Sequence, residues 1–215
     1  MAAKIETKEN GPLIVSGAPD LRDDAGGAIE GKPRMALCRC GASSSKPFCD
    51  GTHNEIGWSE ARDGKMSRAE PFTYEAVIDD VPVTVSYSKA LCSHAGSCVQ
   101  MGDGAFDPQR KPWCKPGETS IETLRAIIAA CPSGALQLAV GEGAPSHTNP
   151  APDSVGIRVA KDGPYYVENV AFAGGAFVEG SQGSTQKYAL CRCGLSSTKP
   201  FCDGTHLDAG WTDES

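Results

Sequence analysis

The chain has 215 residues, a formal net charge of -7 and no basic stripe. It is long enough for one large domain or two to three small ones, and it lacks the clustered Lys and Arg that phosphate binding needs, which excludes nucleic acid as a main partner. No apolar run approaches the roughly eighteen residues of a membrane helix, and the opening MAAKIETKENGP has neither an apolar core nor Arg-rich character, so no membrane partner and a cytoplasmic location are expected.

Ten cysteines stand beside 25 glycines and 15 prolines. Such segments bury small cores and need staples. In a reducing compartment, cysteines at short spacing near histidine point to metal rather than to disulfides.

In chain order, the first motif is CRCGASSSKPFCDGTH, from Cys38 to His53, introduced by GPLIVSG at Gly11 and followed by Trp58. Cys38 and Cys40, one residue apart on a loop, can grip one metal. Cys49 and His53 are four apart and share a face if they lie on a helical turn, so they can grip a second. Asp50 stands where a helix cap is useful. Three thiolates and one imidazole suit zinc or an iron–sulfur centre, and not magnesium or calcium. On spacing alone a Cys3His zinc site is a serious contender.

A charged linker is expected around 59–69. The middle segment then opens with FTYEAVI, a break at DDVP, and VTVSY, in which Val83, Val85 and Tyr87 alternate with polar residues as in a hairpin strand. CSHAGSC, from Cys92 to Cys98, follows, then Cys114 in KPWCKP. A helix is predicted over SIETLRAIIAA, with Thr119 as N-cap and Glu122 as its capping-box partner. Ile121, Leu124, Ile127 and Ile128 share one face, and Pro132, after Cys131, ends the helix. Leu136, Leu138 and Val140 alternate as a last strand. Met101 and Phe106 read as packing residues. GEGAPSHTNPAPDS reads as a linker.

The first motif then returns as CRCGLSSTKPFCDGTH, from Cys191 to His206, introduced by GPYYVEN at Gly163 and followed by Trp211. From Gly11 to Trp58 and from Gly163 to Trp211 the copies differ in length by one residue, which marks an internal duplication. Arg39 and Arg192, between the first two cysteines of each copy, are read either as offsetting cluster charge or as solvated. Trp58 and Trp211 are read as covers for small cores.

Both copies resemble the CDGSH iron–sulfur domain family. The C-x-C pair, Ser43 and Ser196 at the hydroxyl position, Pro47 and Pro200, and a terminal CDGTH carry the likeness, with Thr52 and Thr205 replacing serine. The resemblance implies one [2Fe-2S] cluster per copy. Cys38 and Cys40 would ligate one iron, and Cys49 with His53 the other. In the second copy Cys191 and Cys193 pair on one iron, and Cys202 with His206 on the other. It also implies that the two modules pair, here as an intramolecular pseudo-dimer in a monomeric chain.

The segment between them resembles the divergent mono-cluster ferredoxin family, on Cys92, Cys98, FDPQRKPW and the CPSGAL that begins at Cys131. Position 95, where a middle cysteine is expected, is alanine. Three thiolates, Cys92, Cys98 and Cys131, favour a [3Fe-4S] cluster, with a [4Fe-4S] carrying a non-cysteine ligand as the alternative. Cys114 is read as a partly buried free thiol, with a fourth cluster ligand as the alternative, and His94 as a hydrogen-bond donor near the cluster rather than a ligand.

The expected architecture is α+β: two small β-rich CDGSH-type modules, at 5–62 and 156–215, forming a pseudo-dimer, with an inserted ferredoxin-like α+β domain at 70–141. No Ser-His-Asp arrangement, phosphate loop or Rossmann fingerprint is present. The expected function is therefore one-electron transfer to or from a redox partner protein, without enzymatic chemistry of its own. An iron–sulfur carrier to apo-protein acceptors, or a redox or pH sensor, is the alternative. Because protonation competes with metal for imidazole, acid-labile clusters are expected, and His→Cys should stabilise them.

Overall fold

The structure is a computed structural model that describes residues 2–61, 69–144, 146, 155–174, 180–181 and 183–214. The two linker regions expected around 59–69 and 141–154 fall largely outside the described residues.

Among the described residues, eleven strands form three sheets, accompanied by four α-helices. In the N-terminal module, β1 (Lys4–Thr7), β2 (Leu13–Ser16) and β4 (Arg34–Leu37) form an antiparallel ladder. In the C-terminal module, β8 (Gly156–Val159), β9 (Tyr165–Glu168) and β11 (Lys187–Leu190) do the same.

Each module also lends a strand to the other. β10 (Ala171–Phe172) of the C-terminal module pairs in parallel with β1, placing Ile5 beside Phe172. β3 (Asp20–Arg22) of the N-terminal module pairs in parallel with β8, placing Leu21 beside Ile157. The exchange covers a sheet edge on both sides and merges the apolar faces. Ile5, Leu13, Leu37, Leu21, Ile157, Val167 and Leu190 are all buried in one core.

The expected pseudo-dimer is thus a strand-exchanged one. At its centre the two C-x-C loops lie back to back. A side chain at Gly41 would overlap the Cys193 carbonyl, and one at Gly194 would overlap the Cys40 carbonyl. Trp211 Nε1 donates across this seam to the Gly41 carbonyl at 3.3 Å.

The middle segment folds as a three-stranded antiparallel sheet, β5 (Phe72–Ile78), β6 (Val81–Tyr87) and β7 (Leu136–Val140), with α3 (Ile121–Ala130) against it. Leu124, Ile127 and Ile128 are fully buried, as their spacing predicts.

Three expectations are corrected. The hairpin break is only Asp79-Asp80, both at positive φ (48° and 62°), so Val81 and Pro82 already belong to β6. Two left-handed residues match the right-handed twist of the strands, and Asp tolerates that conformation. The cap of α3 is Ser120, not Thr119. Pro116–Glu118 forms a single 3-10 turn that takes the Thr119 N–H, and the Ser120 hydroxyl accepts from the Thr123 N–H at 3.1 Å. Glu122 is therefore not its partner. Met101 is exposed at the end of α2 (Ser97–Met101), whereas Phe106 is in the core.

Candidate metal centres

Each repeated motif is a loop, a short bridge and one helical turn. Cys38 ends the N–H ladder of β4 by donating to the Pro47 carbonyl, and Cys49 N donates back to Ala36. α1 (Thr52–Glu55) begins only after Gly51, at φ 97°. Cys49 therefore precedes the helix, and the left-handed turn at Gly51, not a shared helical face, folds His53 back over it. α4 (Thr205–Asp208) repeats this after Gly204.

Asp50 explains the acidic position of the motif. One carboxylate oxygen accepts from the Thr52 N–H and hydroxyl at 3.1 and 2.7 Å. The other accepts from the Ser44 N–H and hydroxyl at 2.8 and 2.7 Å. Asp203 makes the same four bonds to Thr205 and Ser197. The carboxylate thereby ties the histidine helix to the C-x-C loop, and a threonine serves as well as a serine. Hydrogen bonds from Thr52 and then Ser44 push Asp50 far below the usual carboxylate range. Ser43 and Ser196 close the loop by donating to the Phe48 and Phe201 carbonyls, both at 2.6 Å.

The arginines are not solvated. Both are almost fully buried. Arg39 donates to the carbonyls of Gly11 and Lys8 at 2.8 and 2.7 Å and pairs with Glu60. Arg192 donates to Gly163 and Ala160 at 2.8 and 2.6 Å and pairs with Asp213. The guanidinium groups lie 5.1 and 4.9 Å from the rings of Trp58 and Trp211. The tryptophans thus cover arginines, and the arginines staple the ligand loop to the first hairpin turn of each module.

The thiolates and imidazoles fall into pairs. Cys38 Sγ and Cys40 Sγ are 3.7 Å apart, as are Cys191 Sγ and Cys193 Sγ. Cys49 Sγ stands 3.4 Å from His53 Nδ1, and Cys202 Sγ 3.5 Å from His206 Nδ1. Two thiolates bound tetrahedrally at about 2.3 Å stand about 3.8 Å apart, and a thiolate–imidazole pair about 3.5 Å apart. Each pair therefore has the bite of one metal.

Among the described residues, no three His, Cys, Asp or Glu side chains are placed to hold a single ion. Each motif thus offers two pairs of ligands, each spaced for one metal. The hydrogen bond between the two sulfurs lowers Cys38 to about 6 and Cys191 to about 7. Cys40 and Cys193 are raised in turn.

The middle segment brings Cys92, Cys98 and Cys131 to one cavity of about 660 Å³, lined also by His94, Tyr87 and Trp113. Burial pushes Cys92 up to about 11 and raises Cys98 as well. Such thiols become thiolates on a cation, not spontaneously. Cys114 is buried in the core and does not line this cavity; burial pushes it up to about 12.

Sequence reasoning missed how the three units meet. Lys187 Nζ donates to the carbonyls of Ile128 and Ala129, each at 2.8 Å, at the C-terminal end of α3. The Thr198 hydroxyl donates to the Ala90 carbonyl at 2.9 Å, and the Ser93 and Tyr166 hydroxyls meet at 3.2 Å. The available signal was difference between the copies: Lys187, Thr198 and Tyr166 stand where the first copy has Arg34, Ser45 and Ile14.

No helix among the described residues is long and apolar enough to cross a membrane. Family models match at three places. The model described as "Iron-binding zinc finger CDGSH type" covers residues 10–54 and 162–207, and "Divergent 4Fe-4S mono-cluster" covers 78–141. The chain is similar to the "Uncharacterized protein YjdI" of Escherichia coli strain K12, and to that of strain O157:H7. Each is 40% identical over 55 residues, which is 26% of this chain and 72% of the relative. No solved structure matches the chain. Paired ligand sites in duplicate, a third cysteine-lined cavity and these matches together make this an iron–sulfur protein: the chain belongs to the CDGSH iron-binding family, in two copies that flank a divergent mono-cluster domain.

Proposed function

We propose that the chain carries out one-electron transfer, with a [2Fe-2S] cluster in each CDGSH module and a ferredoxin-type cluster in the middle domain. The observation that carries this reading is the pairing of ligands. Cys38 with Cys40 and Cys49 with His53 are each spaced for one metal, and the second copy repeats both spacings. In the middle, Cys92, Cys98 and Cys131 would hold three corners of either a [3Fe-4S] cluster or a [4Fe-4S] cluster with a non-cysteine fourth ligand. The description of the matching family favours four irons.

When bound, such clusters supply reversible one-electron chemistry. The chain's own residues hold and orient the ligands. Asp50 and Asp203 fix the histidine helices, Arg39 and Arg192 fix the loops, and Tyr87 and Trp113 shield the middle cavity. A redox partner protein is the implied counterpart, and no acid, base or nucleophile is assigned to substrate chemistry.

A cluster-carrier reading draws on one feature, the only partly buried Cys40, Cys49 and His53 of the N-terminal site. The test is iron and acid-labile sulfide counting with electron paramagnetic resonance of oxidised and reduced protein. About two irons per end module and about three or four in the middle, all reversibly reducible, are expected. Zinc without sulfide overturns the proposal. Loss of sulfide to an apo-ferredoxin on mixing, without reversible reduction, replaces it by the carrier reading.

A further inference from the structure

The two end centres share one sequence but not one environment. In the C-terminal module Cys191, Cys193, Cys202 and His206 are all buried, the most exposed of them at 6%. In the N-terminal module only Cys38 is buried, while Cys40, Cys49 and His53 are half-buried.

The difference traces to the middle domain. A side chain at Gly204 would meet the ring of His94 at 2.7 Å from Nδ1, 2.9 Å from Cγ and 3.1 Å from Cε1. The imidazole therefore lies flat against the backbone between Cys202 and His206, itself at the exposed rim of the seam. At the matching Gly51 a side chain would meet nothing within 4 Å.

Lys187, Thr198 and Tyr166 hold the middle domain in place with the bonds given above. Their counterparts Arg34 and Ser45 are exposed, and Ile14 is half-buried. His94 also lines the middle cavity beside Cys92 and Cys98, so the same residue touches both sites.

We infer that the middle domain is a cap on the C-terminal centre, with His94 as its contact residue, so that the duplicated sites have divided: the C-terminal one is guarded and faces the middle cavity, and the N-terminal one is open to an outside redox protein. This rests on the reading of both motifs as metal centres, and not on which cluster each holds.

The test is timed alkylation of the metal-loaded full chain in the presence of an iron or zinc chelator, with the labelled cysteines identified by peptide mass spectrometry. Cys40 and Cys49 are expected to label at least about tenfold faster than Cys193 and Cys202. His94→Ala should bring the C-terminal cysteines to within about threefold of the N-terminal ones.

Because His94→Ala also alters the middle cavity, Gly204→Ala is the second variant. Gly51→Ala is its control: both glycines have similar positive φ (87° and 97°), so an effect at Gly204 beyond that at Gly51 belongs to the His94 contact. Equal labelling of the two sites in the unaltered chain, or an unchanged C-terminal rate in both His94→Ala and Gly204→Ala, overturns the inference. Labelling order is readable with zinc as with iron, so a failure of the cluster assignment shows separately, in the sulfide count.

Discussion

The Tyr165 hydroxyl, from the C-terminal module, donates to the main-chain carbonyl of Cys38 in the N-terminal module at 2.8 Å. It also lies 3.0 Å from the Pro47 carbonyl, and the tyrosine is fully buried. The matching residue of the first copy is Leu13, so the brace runs in one direction only. Tyr165→Phe leaves the buried Cys38 carbonyl without this donor, while the Pro47 carbonyl keeps the Cys38 N–H, and should cost about 1–3 kcal/mol. Chemical denaturation of the loaded protein checks this. Unchanged stability would mean that the brace is dispensable.

The arginine staples lead to a second expectation. Arg192 satisfies two carbonyls and Asp213 with one planar fork, which a lysine cannot reproduce. Arg192→Ala, which strips a buried charge from its partners, should cost about 3 kcal/mol or more, and Arg192→Lys should recover only part of it. The measurement is the denaturation midpoint of the three proteins side by side.

A pH dependence follows from the same pair. Burial alone would raise Asp213, but the hydrogen bond and charge of Arg192 outweigh it, and its carboxyl lies below the ordinary value of 3.8. A depressed folded-state pKa gives stability that is present above the unfolded value and lost as pH falls through the folded one. Between pH 5 and pH 3 the unaltered chain should therefore lose more stability than Asp213→Asn. Parallel losses in urea titrations would remove the pair from the acid response.

The cap of α3 separates two neighbouring hydroxyls. Ser120→Ala removes the acceptor for the Thr123 N–H and should cost about 1 kcal/mol, whereas Thr119→Ala should stay within about 0.5 kcal/mol. Thermal denaturation of the two variants tests the assignment, and the reverse order would restore Thr119 as the cap.

At the metal centres, protonation of imidazole competes with metal. His53→Cys and His206→Cys should slow the loss of visible absorbance at mildly acidic pH by about tenfold at the altered site. Bleaching at the parent rate would move the acid-sensitive step away from the histidines.

What the sequence determined was the chemistry. Ligand identity and spacing are local properties: Cys38-x-Cys40 and Cys49-x3-His53 bring their own loop and helix, and Asp50 and Ser43 bond within a few residues of themselves. The duplicated motif therefore carried two paired sites on the page, and Val83, Val85 and the Leu124, Ile127, Ile128 face carried the middle fold. Even the local misreadings were matters of one or two residues, as when the 3-10 turn at Pro116–Glu118 took Thr119 out of the capping role.

Only the tertiary structure decided how the units meet. β1 pairs with β10 and β3 with β8 across more than a hundred residues of chain, and no periodicity records a partner that distant. The burial of Arg39 and Arg192, the reach of Tyr165 to Cys38 and the seating of His94 on Gly204 depend on surfaces assembled from separate segments. Two sites written in nearly the same letters thus became one open and one covered, because burial belongs to the packed chain and not to the motif.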